Sequence, residues 1–287
     1  MITLHCTPLY EGFAFLEGPR WSGGRLWISD LFKRTVLAVD PAGTVETVAE
    51  IPGVPSGIGF LPDGRPLLVS MQDRTVRRVE SDGSVTVHAD LTGLVGTDST
   101  LNDMVVGPDG WAYVGNIGYD SVNGAAPRPG DLVLVSAEGE VGPAGSGKLE
   151  LPNGCGISPD GTRLVASESM AHRLVTWTIG PDHRLSERKV LASLPGQLPD
   201  GLTVDAEGAV WVAAFEGKAF LRVAADGTLT HRVPTGARRA VSCTLGGADG
   251  RTLFCLTADT SLEDLARGRA ESRVETVEVE VPGAGSP

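Results

Sequence analysis

One position of a repeated sequence pattern carries an oxygen-bearing side chain in every copy of the pattern. Each of five copies begins at this position and has a glycine eight residues later. The five first residues are Ser56, Asn102, Asn153, Asp200 and Ser242. A sixth, shorter copy begins at Glu17 and has its glycines at Gly23 and Gly24. Carboxylate and amide oxygens bind hard divalent cations, and Ca²⁺ usually takes about 6–8 oxygens including waters.

Four of these side chains form a candidate metal site, provided that the fold brings them to one point. The predicted ligands are Glu17, Asn102, Asn153 and Asp200. Ca²⁺ is the expected ion, with Zn²⁺, Mn²⁺ and Mg²⁺ as alternatives, because none of the six positions holds a histidine or cysteine. Asn, Asp and Ser are also ordinary turn and cap residues before strands, which would explain any one of them alone. Four at the same place in different copies favour the metal.

The spacing of the copies indicates the elements that position these residues. Successive turn glycines from Gly24 onward lie 40, 46, 51, 47 and 42 residues apart. This period fits the blades of a propeller, which run about 40–50 residues with four strands each. Six copies predict an all-β fold, a six-bladed β-propeller with four-stranded antiparallel blades around a central channel, in a single domain over residues 1–287. The first strand of each blade lines the channel, so the residues at its start meet at one mouth.

The two ends of the chain are expected to close the last blade together. Residues 273–281, RVETVEVEV, include an alternation of valine and glutamate that is typical of a strand. We expect the segment ITLHC, residues 2–6, to pair beside it. Residues 116–130 are predicted to form a long loop in the third copy, and residues 261–270 a short helical or irregular insert in the sixth.

Composition argues against several classes of function. The net charge of -12 is unfavourable for nucleic acid, whose phosphates require Lys and Arg stripes, and for anionic membrane surfaces. No stretch approaches the ~20 apolar residues that span a bilayer, and the first residues lack the pattern of a signal peptide. The four cysteines show no CxxC spacing, so we expect buried thiols in a reducing cytoplasm. The expected partner is a small molecule, and the expected assembly is a monomer or small homo-oligomer.

Four segments of the chain resemble a known family. They read EGPRW, LNDMVVGPDG, LPNGCGISPDG and LPDGLTVDAEGAVWVA, in that order. They are similar to motifs of the senescence-marker-protein/gluconolactonase/luciferin-regenerating-enzyme family, and the resemblance covers nearly the whole chain. It implies a six-bladed propeller with one divalent metal in the channel and lactonase activity. It also implies metal-binding carboxylates at Glu17 and Asp200 and amides at Asn102 and Asn153, with Asn102 serving substrate or water as an alternative.

One departure from the family pattern bears on the substrate. Sugar-lactone members often carry an arginine two residues before the third-blade asparagine, and Thr100 stands there in this chain. An aldonolactone substrate is therefore put in doubt, whereas a lactone in general is not.

The expected reaction is hydrolysis of a lactone, with the metal as Lewis acid and Asp200 as general base. Asp103 is the rival base, or a residue that orients a metal ligand. Arg20 is a candidate to hold a substrate carboxylate, and a surface ion pair is its alternative. Tyr119 is a candidate lid residue over the channel, and His172 a candidate substrate contact or a structural histidine.

Two further functions remain open on the same residues. A phosphotriester or fluorophosphate hydrolase would use the same metal and carboxylate, because diisopropyl-fluorophosphatase has a similar architecture. A propeller that binds a metabolite without catalysis, with purely structural calcium, is the alternative from another class.

Overall fold

The chain forms a ring of six small β-sheets in a computed structural model that describes residues 1–285. The first strands are β1 (Ile2–Thr3) and β2 (Thr7–Phe13). Blade one follows with β3 (Leu16–Ser22), β4 (Arg25–Asp30), β5 (Thr35–Val39) and β6 (Val45–Glu50). Blade two has β7 (Pro55–Phe60), β8 (Pro66–Ser70), β9 (Thr75–Val79) and β10 (Val85–Asp90).

The remaining blades repeat this order after a one-turn helix, α1 (Thr92–Val95). Blade three has β11 (Leu101–Val106), β12 (Ala112–Asn116), β13 (Asp131–Val135) and β14 (Val141–Pro143). Blade four has β15 (Pro152–Ile157), β16 (Arg163–Glu168), β17 (Arg173–Ile179) and β18 (Leu185–Ser193). Blade five has β19 (Pro199–Val204), β20 (Val210–Ala214), β21 (Ala219–Val223) and β22 (Leu229–Pro234).

Blade six contains β23 (Arg239–Gly246), β24 (Thr252–Asp259) and β25 (Glu271–Glu278), with the helix α2 (Leu262–Ala266) between the last two. The side chain of Ser261 caps this helix by accepting a hydrogen bond from the main-chain nitrogen of Asp264. The expected short helical insert at residues 261–270 is therefore confirmed. The six-bladed antiparallel propeller is confirmed as well, although its predicted domain ends in two residues that lie outside the described part of the chain.

The prediction for blade closure is wrong in its residues. The strand that pairs with β25 is β2, where Thr7 lies opposite Thr276 and Pro8 opposite Glu275. Within the segment expected there, only β1 forms a strand, and it pairs in parallel with β22 of blade five. The physical reason is proximity along the chain, because two residues separate β2 from β3 of blade one, which is the neighbour of blade six.

The hydrophobic core lies between neighbouring blades. One cluster joins Val105 and Tyr113 of blade three to Cys155 and Ile157 of blade four. Three of the four cysteines, Cys155, Cys243 and Cys255, are buried as free thiols, whereas Cys6 is half-buried. Within residues 1–285, no helix has both the length and the apolar character that crossing a membrane requires.

Candidate functional site

The inner strand of each blade leaves regular pairing near the position that the sequence repeat singled out. In blade four the ladder between β15 and β16 shifts between Pro152 and Cys155, at Asn153 and Gly154. The corresponding inner strands of the other blades also shift close to their starts. All six inner strands begin at one end of the channel, which we call the mouth. The irregular backbone frees the side chains at these positions from the ladder geometry.

Neighbouring inner strands approach each other closely just after the repeated position. A Cβ atom added to Gly57 would lie 2.4 Å from the main-chain nitrogen of Met104. One added to Gly154 would lie 2.5 Å from the main-chain nitrogen of Leu202. Glycine is therefore required there, since any side chain would push the blades apart. The close approach narrows the ring formed by the repeated positions, which we call the oxygen ring: Glu17, Ser56, Asn102, Asn153, Asp200 and Ser242.

Asn102 is held from both sides within the oxygen ring. Its Oδ1 accepts a hydrogen bond of 3.3 Å from the hydroxyl of Ser56 in blade two. Its Nδ2 donates a bond of 3.2 Å to the main-chain oxygen of Pro152 in blade four. These two hydrogen bonds link Asn102 of blade three to blades two and four and fix the orientation of its amide group.

The two carboxylates of the oxygen ring are buried close together. Glu17 has 9% and Asp200 has 8% of its surface exposed. Burial, followed by the negative charges of Asp200 and Asp103, raises the pKa of Glu17 well above its usual range. Burial and the charge of Asp103 also raise the pKa of Asp200, and the hydrogen bond from Asn153 opposes that rise. Asp200 Oδ1 has no hydrogen-bond partner among the described residues.

A third buried carboxylate, that of Asp103, is bound to an arginine. Arg20 Nη2 lies 3.1 Å from Asp103 Oδ1, and both side chains are almost wholly buried. Arg20 also donates to the main-chain oxygens of Pro19, at 2.8 Å, and of Met104. Because Arg20 follows Glu17 by three residues on β3, this ion pair lies on the far side of the oxygen ring from the mouth.

The arrangement fits a divalent cation. Buried carboxylates that repel one another, with a buried oxygen left unpaired, are stabilised when a cation lies between them. Among residues 1–285, no three His, Cys, Asp or Glu side chains are gathered as metal ligands. The oxygen ring instead combines two carboxylates with two amides, a hard donor set of the kind that Ca²⁺ accepts.

Comparison with known proteins bears on this arrangement. The family model described as "SMP-30/Gluconolactonase/LRE-like region" matches residues 15–259, which is most of the chain. The chain belongs to this family. The resemblance seen in the sequence motifs is therefore confirmed.

Two relatives that are similar to this chain in sequence are lactonases. Pentonolactonase XacC from Haloferax volcanii is 26% identical over 247 residues, which cover 84% of this chain and 81% of that protein. The 6-deoxy-6-sulfogluconolactonase from Pseudomonas putida is 29% identical over 197 residues, 66% of this chain and 65% of that protein. The expectation of an enzyme that hydrolyses ester bonds is confirmed at the level of the family.

A solved structure of similar fold is the calcium-binding protein regucalcin from Agrobacterium tumefaciens. It has a TM-score of 0.79 and 20% identity, with 99% of each chain covered. At that identity the likeness establishes the propeller fold.

Other residues named from the sequence lie around the mouth. Thr100 is buried, and its hydroxyl bonds to the main-chain oxygen of Tyr119, at 3.2 Å, and to Ser121, at 2.9 Å. Thr100 therefore anchors the long third-blade loop, where the family often has an arginine. Tyr119 is half-buried against the apolar cluster of blades two and three. Its role as a lid residue stays a prediction.

His172 lies in the turn between β16 and β17, with its backbone in the left-handed region at φ 51°. Its Nδ1 accepts a hydrogen bond of 3.3 Å from the main-chain nitrogen of Leu198, two residues before Asp200. The histidine thus ties blade four to the segment that leads into the oxygen ring. A contact between His172 and substrate stays a prediction.

Sequence inspection missed a further charged group near the mouth. Arg239, the first residue of β23, forms an ion pair with Glu216 and lies over the ring of Phe215, 5.4 Å from its centroid. The available signal was its place three residues before Ser242. Nothing in the sequence indicated its partner, which lies in a turn of another blade.

Proposed function

We propose that this chain is a metal-dependent lactonase whose cation is held by Glu17, Asn102, Asn153 and Asp200. Ca²⁺ is the first candidate, with Zn²⁺, Mn²⁺ and Mg²⁺ as alternatives. The observation that carries the proposal is the oxygen ring, in which two buried carboxylates lie together and Asp200 Oδ1 is unpaired among the described residues. The lactonase activity of the named relatives and the calcium-binding neighbour support it.

When bound, the cation would supply Lewis-acid polarisation of the lactone carbonyl. Asp200 is our candidate to take a proton from the attacking water, because its buried Oδ1 has no hydrogen-bond partner among the described residues. The proton then passes to the ring oxygen of the ester as the C–O bond breaks, and a hydroxy acid is released. Asn102 orients the substrate side of the site, because its amide is fixed by Ser56 and Pro152.

Asp103 remains the rival base. Its Oδ2 lacks a hydrogen-bond partner within residues 1–285, but its Oδ1 accepts bonds from Arg20 and from the main-chain nitrogen of Met104. A carboxylate held in this way moves less readily between water and leaving group than Asp200 does. The guanidinium of Arg20 already donates to Asp103 and to two main-chain oxygens. A contact between this guanidinium and a substrate carboxylate at the mouth is therefore the weaker part of the sequence prediction.

The proposed substrate is a lactone, and sugar-acid lactones are the first to be tested since the two relatives act on them. The hydroxyl of Thr100 bonds to the third-blade loop and does not replace the arginine that often binds the sugar acid. Simple aliphatic lactones therefore belong on the same panel. A cytoplasmic location stays a prediction, supported by the three buried thiols.

The test is a set of initial rates on aldonolactones, aliphatic lactones and aryl phosphotriesters. Rates are measured on chelator-treated protein and after Ca²⁺, Mn²⁺ or Zn²⁺ is restored, with circular dichroism as the control for folding. We expect lactone turnover that disappears with the metal and returns with it. Faster turnover of phosphotriesters would favour the fluorophosphatase-like alternative. Metal binding without turnover of any substrate would favour the non-catalytic propeller.

A further inference from the structure

The buried pair of Arg20 and Asp103 lies across the channel, on the side of the oxygen ring that faces away from the mouth. Arg20 comes from blade one and Asp103 from blade three, and blade two lies between them in the ring of sheets. The guanidinium reaches the main-chain oxygen of Met104 as well as the carboxylate. On its far side lies a cavity of about 30 Å³, lined by Val105, Leu202 and Ala284 among others. The pair therefore forms a floor under the oxygen ring.

Within residues 1–285, this floor has no counterpart in the other blades. The residue after the oxygen-ring position is glycine in four blades, at Gly18, Gly57, Gly154 and Gly201, and cysteine in the sixth. Only blade three carries a carboxylate there. Three residues after the oxygen-ring position, only blade one carries a charged side chain, Arg20. The repeat departs from its pattern twice, and the two exceptions contact each other.

Three buried carboxylates, those of Glu17, Asp103 and Asp200, lie around the oxygen ring together with the buried guanidinium of Arg20. The charges that most affect the pKa of Glu17 are those of Asp200, Asp103 and Arg20. Arginine stays protonated in proteins, so it contributes one positive charge throughout. Three ionised carboxylates and one guanidinium sum to two negative charges, which one divalent cation neutralises. Without the guanidinium the same site would carry three negative charges.

We propose that Arg20 is a built-in counter-charge to Asp103: it cancels the charge of that carboxylate, keeps the oxygen ring at two negative charges, and so favours divalent over trivalent cations. This inference rests on the metal site proposed above. It assigns Arg20 to the metal site, where the sequence had suggested a substrate carboxylate. Asp103 holds the guanidinium of Arg20 in place and also contributes its own negative charge to the site.

The experiment compares Tb³⁺ and Ca²⁺ binding to the full-length apo protein by calorimetry and Tb³⁺ luminescence, at pH 8. Arg20→Gln leaves three negative charges, Asp103→Asn leaves one, and the double variant restores two. An added negative charge acts on three positive charges of Tb³⁺ but on two of Ca²⁺. We therefore expect the Tb³⁺/Ca²⁺ affinity ratio to rise about tenfold in Arg20→Gln, to fall by a similar factor in Asp103→Asn, and to return near the wild-type ratio in the double variant.

A matched control is Arg222→Gln in blade five. Arg222 is buried and forms an ion pair of 2.7 Å with Asp205, but it belongs to the third strand of its blade. It should leave the ratio unchanged. If Arg20→Gln does not fold, the Asp103→Asn and double variants still test the order of the ratios, and Arg20→Lys should keep the wild-type ratio.

The outcomes separate this inference from the proposed function. A wild-type protein that binds neither ion, and whose lactone turnover survives chelation, would overturn the metal site and the inference with it. One divalent ion bound by the wild type, with the same Tb³⁺/Ca²⁺ ratio in every variant, would overturn the counter-charge alone. A ratio that falls in both single variants would indicate a purely structural role for the pair, and would also overturn it.

Discussion

Ser167, on the second strand of blade four, donates a hydrogen bond of 2.7 Å to the main-chain oxygen of Asp200 in blade five. Ser29 in blade one makes the same bond, also of 2.7 Å, to the main-chain oxygen of Ser56 in blade two. Both serines are completely buried. A hydroxyl on one blade thus fixes the oxygen-ring residue of the next blade at two places in the propeller.

These two serines give a matched pair of variants. Ser167→Ala and Ser29→Ala each leave a buried carbonyl oxygen unsatisfied, which costs about 1–3 kcal/mol of unfolding free energy. We expect similar losses of stability in urea denaturation. Ser167→Ala should weaken metal binding several-fold and more than Ser29→Ala does, because Asp200 is a proposed ligand whereas Ser56 acts only through its hydrogen bond to Asn102. Equal effects of both variants on metal affinity would contradict the assignment of Asp200.

Asp200→Asn tests the proposed base. The amide retains an oxygen for the cation but cannot take a proton, so we expect kcat to fall by about a hundredfold or more. Metal affinity, measured by calorimetry, should fall less steeply than kcat. Ser242→Ala in the neighbouring blade is the control, since it alters the oxygen ring at a position without a proposed ligand. Full turnover in Asp200→Asn would transfer the role of base to Asp103.

His172 offers a prediction about backbone geometry. His172→Ala removes the acceptor for the Leu198 main-chain nitrogen and places alanine in a left-handed conformation, so we expect a loss of about 1–3 kcal/mol in stability. Asparagine tolerates that conformation, and its Oδ1 can accept in place of Nδ1. His172→Asn should therefore recover most of the melting temperature and of KM. A raised KM in a fully stable His172→Asn would instead support direct contact with substrate.

The hydrogen bonds of the Glu168 carboxylate lead to a prediction of how the unfolding free energy changes in acid. Its side chain is buried; burial alone would raise its pKa, but hydrogen bonds from Arg173, from the Glu150 main chain and from Arg188 outweigh burial and lower it. A carboxylate with a lowered pKa in the folded state stabilises the protein above its unfolded pKa. That contribution is lost as the pH falls through the folded pKa.

Unfolding free energy measured in urea between pH 6 and pH 3 should therefore decline more steeply in the wild type than in Glu168→Gln. The variant itself should be less stable at pH 6, because two arginines lose a charged partner. Parallel curves for the two proteins would show that another carboxylate governs the acid transition. Glu50→Gln, at an exposed position, serves as the control for a change of net charge.

The sequence predicted the number of blades because the turn glycines recur at a nearly constant interval. It also placed the oxygen-ring position correctly at the start of each inner strand, since hairpin spacing fixes that position locally. The strand that closes blade six could not be predicted from the sequence. Two short segments near the N-terminus, Ile2–Thr3 and Thr7–Phe13, have similar strand character, and only tertiary pairing distinguishes them.

Long-range ion pairs could not be predicted from the sequence either. Arg20 and Asp103 are separated by 83 positions, and nothing in either local segment indicates that they meet across the channel. The left-handed turn at His172 carries no glycine signal, so its bond to Leu198 was equally hidden. Local spacing revealed which residues could act, whereas the fold decides which of them face one another.

The pairing of β2 with β25 has a consequence for biosynthesis. A ribosome makes residues 7–13 before the strands of blades one to five and residues 271–278 after them, so the early strand stays without its partner while those five blades are translated. Blades one to five can assemble as they emerge, but the circle joins only after β25 has left the exit tunnel. Nascent chains arrested before that point should therefore expose the unpaired N–H and C=O groups of β2, which can pair with other chains unless chaperones bind them.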